Sequence, residues 1–250
     1  MGSWLLLGQG RRLGQRLREQ EGKNALTAIQ GVERSIIWLA VLLLAFAFQG
    51  ALHRYDQRQR LTLQEAAAIS TVGRYLDFLP ADICMSMTRQ VGSYLEHRIK
   101  LTRRSVSFSI WEGAETYSPE ETARVLEIKH RIREGAHLIC GPANASNSCR
   151  LLVPALNRMF EAAVARDGAN RRHPPHLFFA ALFSVGLAAS LVAGFGMASS
   201  AASASGHMIA FATLLSVILY VITDLEFPRI GLIRLDTFDH VLEDVLQEMN

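Results

Sequence analysis

The sequence predicts an all-α integral membrane protein with three transmembrane helices and a helical extramembrane domain inserted between the first and second. Three observations predict this class. Apolar residues are concentrated in charge-free runs at 35–52, 177–198 and 207–223. Runs of this length rise roughly 25–33 Å as helices, which matches the hydrocarbon core of a bilayer. Outside the runs, apolar residues recur at steps of three and four, the period of an amphipathic helix. Strand-like alternation is essentially absent.

Residues 1–34 form a basic N-terminal segment with six Lys/Arg against three acids. Its apolar stretch, residues 4–7, is too short for the hydrophobic region of a signal peptide. Arg11, Arg12, Arg16 and Arg18 follow that stretch instead of preceding it. The run at 35–52 is therefore expected to be a retained anchor.

The extramembrane domain is expected over 53–176. No proline follows Leu52 until Pro80, so the first span should continue as one long helix with Glu65, Ile69, Val72, Leu76 and Leu79 along one face. Arg54, Asp56, Arg58 and Arg60 form a charged collar at spacings that pair on a helix, expected to be solvated and snorkelling. After Pro80, a second stripe runs through Ile83, Met87, Val91, Tyr94, Leu95 and Ile99. Residues 101–117, with Trp111, read as a loop or broken helix. Ser118, Pro119 and Glu121 make a helix start with a capping box, followed by Val125, Ile128, Ile132, Ala136 and Ile139. A further helix is expected from near Pro154 to Asp167, and the run RRHPP at 171–175 marks the return to the membrane.

The spans at 177–198 and 207–223 are joined by a short uncharged linker and must form a hairpin. Gly186, Ser190, Gly194 and Ala198 fall at four-residue steps, a small-residue stripe that lets another helix approach closely. Packing within the chain is the expected use, with a neighbouring subunit as the alternative. Residues 224–250 form an acidic tail with seven acids against two Lys/Arg, whereas residues 53–176 carry eighteen Lys/Arg against thirteen acids.

Counting Lys/Arg near the span ends places the middle domain and tail together, nine against four on the N-terminal side. The positive-inside rule then puts both in the cytoplasm, with a bacterial inner membrane as the setting. Cys140 and Cys149 flank a turn-rich stretch. A disulfide between them fits an oxidising compartment, whereas a cytoplasmic domain calls for free thiols.

No phosphate-binding, metalloprotease, thiol-redox or nucleophile-elbow motif is present, so neither an enzyme nor a cofactor is expected. His173 and His176 are separated by two prolines, which deny them rigid helical metal spacing, and His137 with Cys140 lacks further ligands. The basic charge is too sparse and too poor in interleaved aromatics for nucleic acid. The expected partners are the lipid bilayer, ions and further copies of the chain. Asp224 and Glu226 stand where the last span exits, followed by Pro228, Arg229, Gly231 and Arg234. They read as an interfacial turn pinned by ion pairs, or as acids lining an ion path.

The stretch DLEFPRIGLIRLDTFDHVL at 224–242 resembles the closing signature of the bestrophin-like membrane-protein family. RYDQRQRLTLQEAAAISTVGRYLDFLP at 54–80, with Arg54, Asp56, Arg58, Glu65 and Thr71, resembles the family's other signature, and PALNRMFEAAVARDGANRRHPP also fits. The family's Asn and Gly in the middle motif are Ala67 and Ser70 here, and the family's usual first span is expected to be reduced to residues 4–7. The resemblance implies an oligomeric ion channel, with anions the expected cargo by kinship with bestrophins. A non-conducting helical scaffold or signalling partner is the alternative.

Overall fold

A computed structural model describes residues 2–21, 23–104, 119–140, 147–199, 204–227, 232–233 and 236–249. Among them all regular structure is helical. The order is α1 (Gly2–Glu21), α2 (Lys23–Leu76), α3 (Ala81–Arg104), α4 (Pro119–Ile139), α5 (Asn147–Asn170), α6 (His176–Gly196), a short 3-10 turn, α7 (Ala204–Glu226) and α8 (Asp236–Met249). Two compact units share these elements. One comprises residues 1–53 and 174–227, the other 54–173 and 228–250.

The first unit holds α1, the start of α2, α6 and α7. Among the described residues three helices are long and apolar enough to cross a membrane, and they are α2, α6 and α7. Lipid tails are as apolar as leucine, so such helices associate by close packing. Here glycine provides it. A Cβ on Gly194 would run into the Leu7 carbonyl, and one on Gly10 would run into the Leu191 carbonyl. A Cβ on Gly14 would stand 2.6 Å from that of Ala198. The backbones of α1 and α6 therefore touch, and Leu7 is fully buried with Ala193 and Met208.

Helix α1 is not one of the three helices apolar enough to cross a membrane. The segment is a 20-residue helix packed on α6, held by glycines that a count of apolar residues overlooks. The stripe on α6 is used within the chain on two sides. Gly186 faces Leu215 and Leu219 of α7, while Gly194 and Ala198 face α1. Ser190 is buried and its hydroxyl donates to the Gly186 carbonyl at 2.9 Å.

The second unit is a helical domain with one apolar core. Ile69, Val72 and Leu76 of α2 meet Val91, Tyr94 and Leu95 of α3, Ile128 and Ile132 of α4, and Leu152 and Met159 of α5. The expected stripes are thus the buried faces. The acidic tail closes this core: Leu242 and Val245 of amphipathic α8 are buried in it.

Two features depart from expectation. Helix α5 begins at Asn147, seven residues before Pro154, which sits inside it. The preceding turns are anchored by buried Cys149 and Leu152, so the proline is absorbed. Cys149 is joined to Cys140 in a disulfide, not left as a free thiol, and the bond ties the end of α4 to the first turn of α5. Cys84 remains free. Ser118 and Trp111 lie outside the described residues.

Backbone contact at Gly194 makes a sharp prediction. Gly194→Val should destabilise the membrane unit by about 1–3 kcal/mol or more through overpacking. Gly8 has nothing within 4 Å of its would-be Cβ. Gly8→Ala should therefore be neutral or stabilising by about 0.5–1 kcal/mol. Thermal unfolding of both variants in detergent distinguishes them.

Candidate functional site

The most highly charged place in the interior is a cluster joining α2, α3 and α5 within the second unit. Glu65 is fully buried, at a position the apolar period of α2 assigns to the core. Arg98 of α3 grips it in a forked pair, Nε to Oε1 at 2.9 Å and Nη2 to Oε2 at 3.3 Å. Arg166 of α5 donates to the same Oε2 at 2.9 Å. Arg98 also donates to Asp167 Oδ2 at 2.8 Å and to the Ala163 carbonyl at 3.5 Å.

Two guanidiniums therefore face two carboxylates, and the cluster is neutral. Burial alone would push the Glu65 carboxyl up. The two guanidiniums outweigh it and hold the group below its usual range. Burial also lowers the Arg98 guanidinium, but Glu65 and Asp167 more than reverse this and drive it well above its usual value. Forked Arg–carboxylate geometry makes these the strong kind of charge-assisted bond. Above the cluster, the Tyr94 and Phe160 rings meet edge to face at 5.7 Å. Lys129 stands 5.9 and 5.5 Å from their centroids, where burial lowers its pKa. Burial raises the Tyr94 phenol, whose buried hydroxyl has no hydrogen-bond partner among the described residues.

The collar is split. Asp56 and Arg60 pair at 2.8 Å on the exposed face, as the spacing predicts. Arg58 is not a solvated, snorkelling residue: it is 2% exposed and donates to the Arg172 carbonyl at 3.2 Å, with His173 Nδ1 at 3.4 Å. It pins the turn at the end of α5. Arg54 is half-buried at the start of this unit. Thr71 lines a surface groove and donates to the Ala67 carbonyl at 2.8 Å. Asp224 and Glu226 are buried at the end of α7 in the membrane unit. Pro228, Arg229, Gly231 and Arg234 lie outside the described residues.

Sequence reasoning singled out Glu65 but missed Arg98, Arg166 and Asp167. A signal existed. Arg98 lies four residues beyond Tyr94, and Arg166 seven beyond Met159, both at core spacing. Among the described residues no group of three His, Cys, Asp or Glu is placed to hold a metal ion.

A family model described as the bestrophin-like domain matches residues 5–237. The fold is similar to that of a bacterial bestrophin homologue from Klebsiella pneumoniae. One crystal structure of it, of a single-residue variant, has a TM-score of 0.73 at 12% identity, covering 99% of this chain and 97% of the other. Another, phased by zinc anomalous scattering, has a TM-score of 0.69 at 13% identity, with 99% and 97% covered. A third, of a different variant, has a TM-score of 0.71 at 16% identity, with 98% and 97% covered. No curated protein matches the chain in sequence.

Removing Glu65 should expose the cluster's importance. Glu65→Leu leaves two buried guanidiniums short of a partner and should cost about 3–5 kcal/mol. The stabilisation from Glu65 is present above the carboxylate range of the unfolded chain. It is lost as pH falls through the lowered folded value. Thermal unfolding in detergent should therefore show an acid limb in the native protein that Glu65→Gln flattens.

Proposed function

We propose, from the premise that the chain belongs to the bestrophin-like domain family, that it is a non-enzymatic membrane protein whose oligomer conducts anions. The observation that carries this is the fold, shared with bacterial bestrophin homologues over nearly their whole length. Helix α2 gives the reading a path. It continues from the membrane unit into the helical domain as one element. In the membrane unit it buries Ala40, Leu44, Ala47 and Ala51 on one side. The opposite side leaves Trp38 72%, Leu42 51% and Phe46 66% exposed at four-residue steps.

A single copy cannot enclose a pore with this face. Several copies about an axis turn it into stacked apolar rings, which gate by dewetting. The net positive charge of residues 53–176 raises the local concentration of anions at one mouth. By the positive-inside count that mouth is cytoplasmic and the membrane is a bacterial inner membrane, although the Cys140–Cys149 disulfide is a bond of oxidising compartments.

Purified chain in liposomes should pass chloride, and its mass in detergent should be that of an oligomer. Phe46→Ala, which removes an apolar ring, should raise the flux several-fold with the mass unchanged. A folded oligomer without flux would sink the channel and leave the scaffold reading, and a monomer would remove the pore altogether. Orientation is read at Cys84, the free and partly exposed thiol. An impermeant thiol reagent should not label it from outside intact cells.

A further inference from the structure

We propose that the groove between α2 and α5 binds a soluble organic anion, a carboxylate or phosphate carried on a compact apolar body. The groove has a volume of about 410 Å3 and lies wholly within the helical domain. Its floor is apolar and shallow-sided because the residues there are small: Ala67 and Ala68 of α2 and Ala155 of α5. Its rim is cationic. Arg150 and Arg158 stand eight residues apart on one face of α5, about 12 Å along the axis, with Pro154 between them.

These two arginines differ from the domain's ion-paired cations. Arg60, Arg98, Arg131 and Arg166 each have a carboxylate partner. Arg150 and Arg158 form no ion pair among the described residues, and no acid lines the groove. Hydroxyls complete the polar edge. Thr71 and Tyr75 face the arginines from α2, and Arg74 donates to the Thr71 hydroxyl at 3.3 Å, adding a third positive charge beside the groove. Pro154 has no N–H, which leaves the Arg150 carbonyl without its usual helical donor. Unpaired guanidiniums over an apolar floor fit a ligand with an acid group and a hydrophobic body. A lipid headgroup is the other source of such chemistry. The groove's residues all belong to the helical domain, outside the charge-free runs, so the proposal commits to a soluble ligand.

The experiment uses the full chain in zwitterionic detergent with 4-fluorobenzoate and phenyl phosphate as probes. Fluorine NMR should show saturable binding of 4-fluorobenzoate, displaced by phenyl phosphate. The neutral 4-fluorobenzyl alcohol should not bind. R150Q and R158Q should each weaken binding about tenfold, the loss of one charge-assisted contact. A67L fills the floor without changing charge and should abolish binding. All three positions are exposed, so an unchanged elution profile and unfolding midpoint will show that the variants are folded. Failure of both probes to saturate would overturn the proposal, as would equal binding of the alcohol or affinity unchanged in the R150Q/R158Q double variant. Displacement by phosphatidylglycerol in mixed micelles would assign the groove to a headgroup and overturn the soluble-ligand reading.

Discussion

The helical domain depends on one buried carboxylate. Moving Glu65 out of water would be prohibitive alone, and an unpaired buried charge of either sign costs several kcal/mol. The structure answers with two guanidiniums and a second carboxylate, so the four formal charges sum to zero. Forked pairing has strict geometry. Arg98 can satisfy Glu65, Asp167 and the Ala163 carbonyl together only at one register of α2, α3 and α5. Apolar packing tolerates small slips among such helices; this cluster does not. The core of Ile69, Tyr94 and Met159 forms around a register that the ions set, and Phe160 and Lys129 cover its edge.

The membrane unit is held by different physics. Water is not there to drive leucines together, so surface area counts for little and close approach counts for much. Gly10, Gly14 and Gly194 let α1 meet α6 backbone to backbone, and Gly186 seats the leucines of α7. Other large apolar side chains are exposed, among them Trp38 and Phe46 of α2 and Leu214 and Tyr220 of α7. A chain stabilised in this way can expose hydrophobic faces to lipid or to other copies without losing its own fold.

These two mechanisms explain what the sequence disclosed. Hydropathy and helical period report apolar burial, so the three spans and the stripes of α2, α3 and α4 were legible. Both methods are blind to glycine seams, which is why α1 looked like four apolar residues instead of a 20-residue helix. They are blind to charge neutralisation as well. Arg98 and Arg166 sit at core spacing, but their partner Glu65 lies 33 and 101 residues away in the chain. A lone charge in an apolar stripe then reads as a neighbour of the core, not part of it. The groove was invisible for a related reason: it exists because Ala67, Ala68 and Ala155 are small, and smallness carries no hydropathic signal.

Neutralisation inside has a consequence outside. Since the buried cluster cancels, it contributes nothing to the positive balance of residues 53–176, which falls on buried Arg58 and on the surface. Arg74, Arg150, Arg158, Arg171 and Arg172 are all exposed. The spans carry no charge at all over 35–52, 177–198 and 207–223. On the proposed reading, the positive domain and the apolar spans are distinct requirements, one for capture and one for control of passage. Neutralising surface arginines should then change how many anions arrive, whereas trimming Phe46 should change how readily they pass.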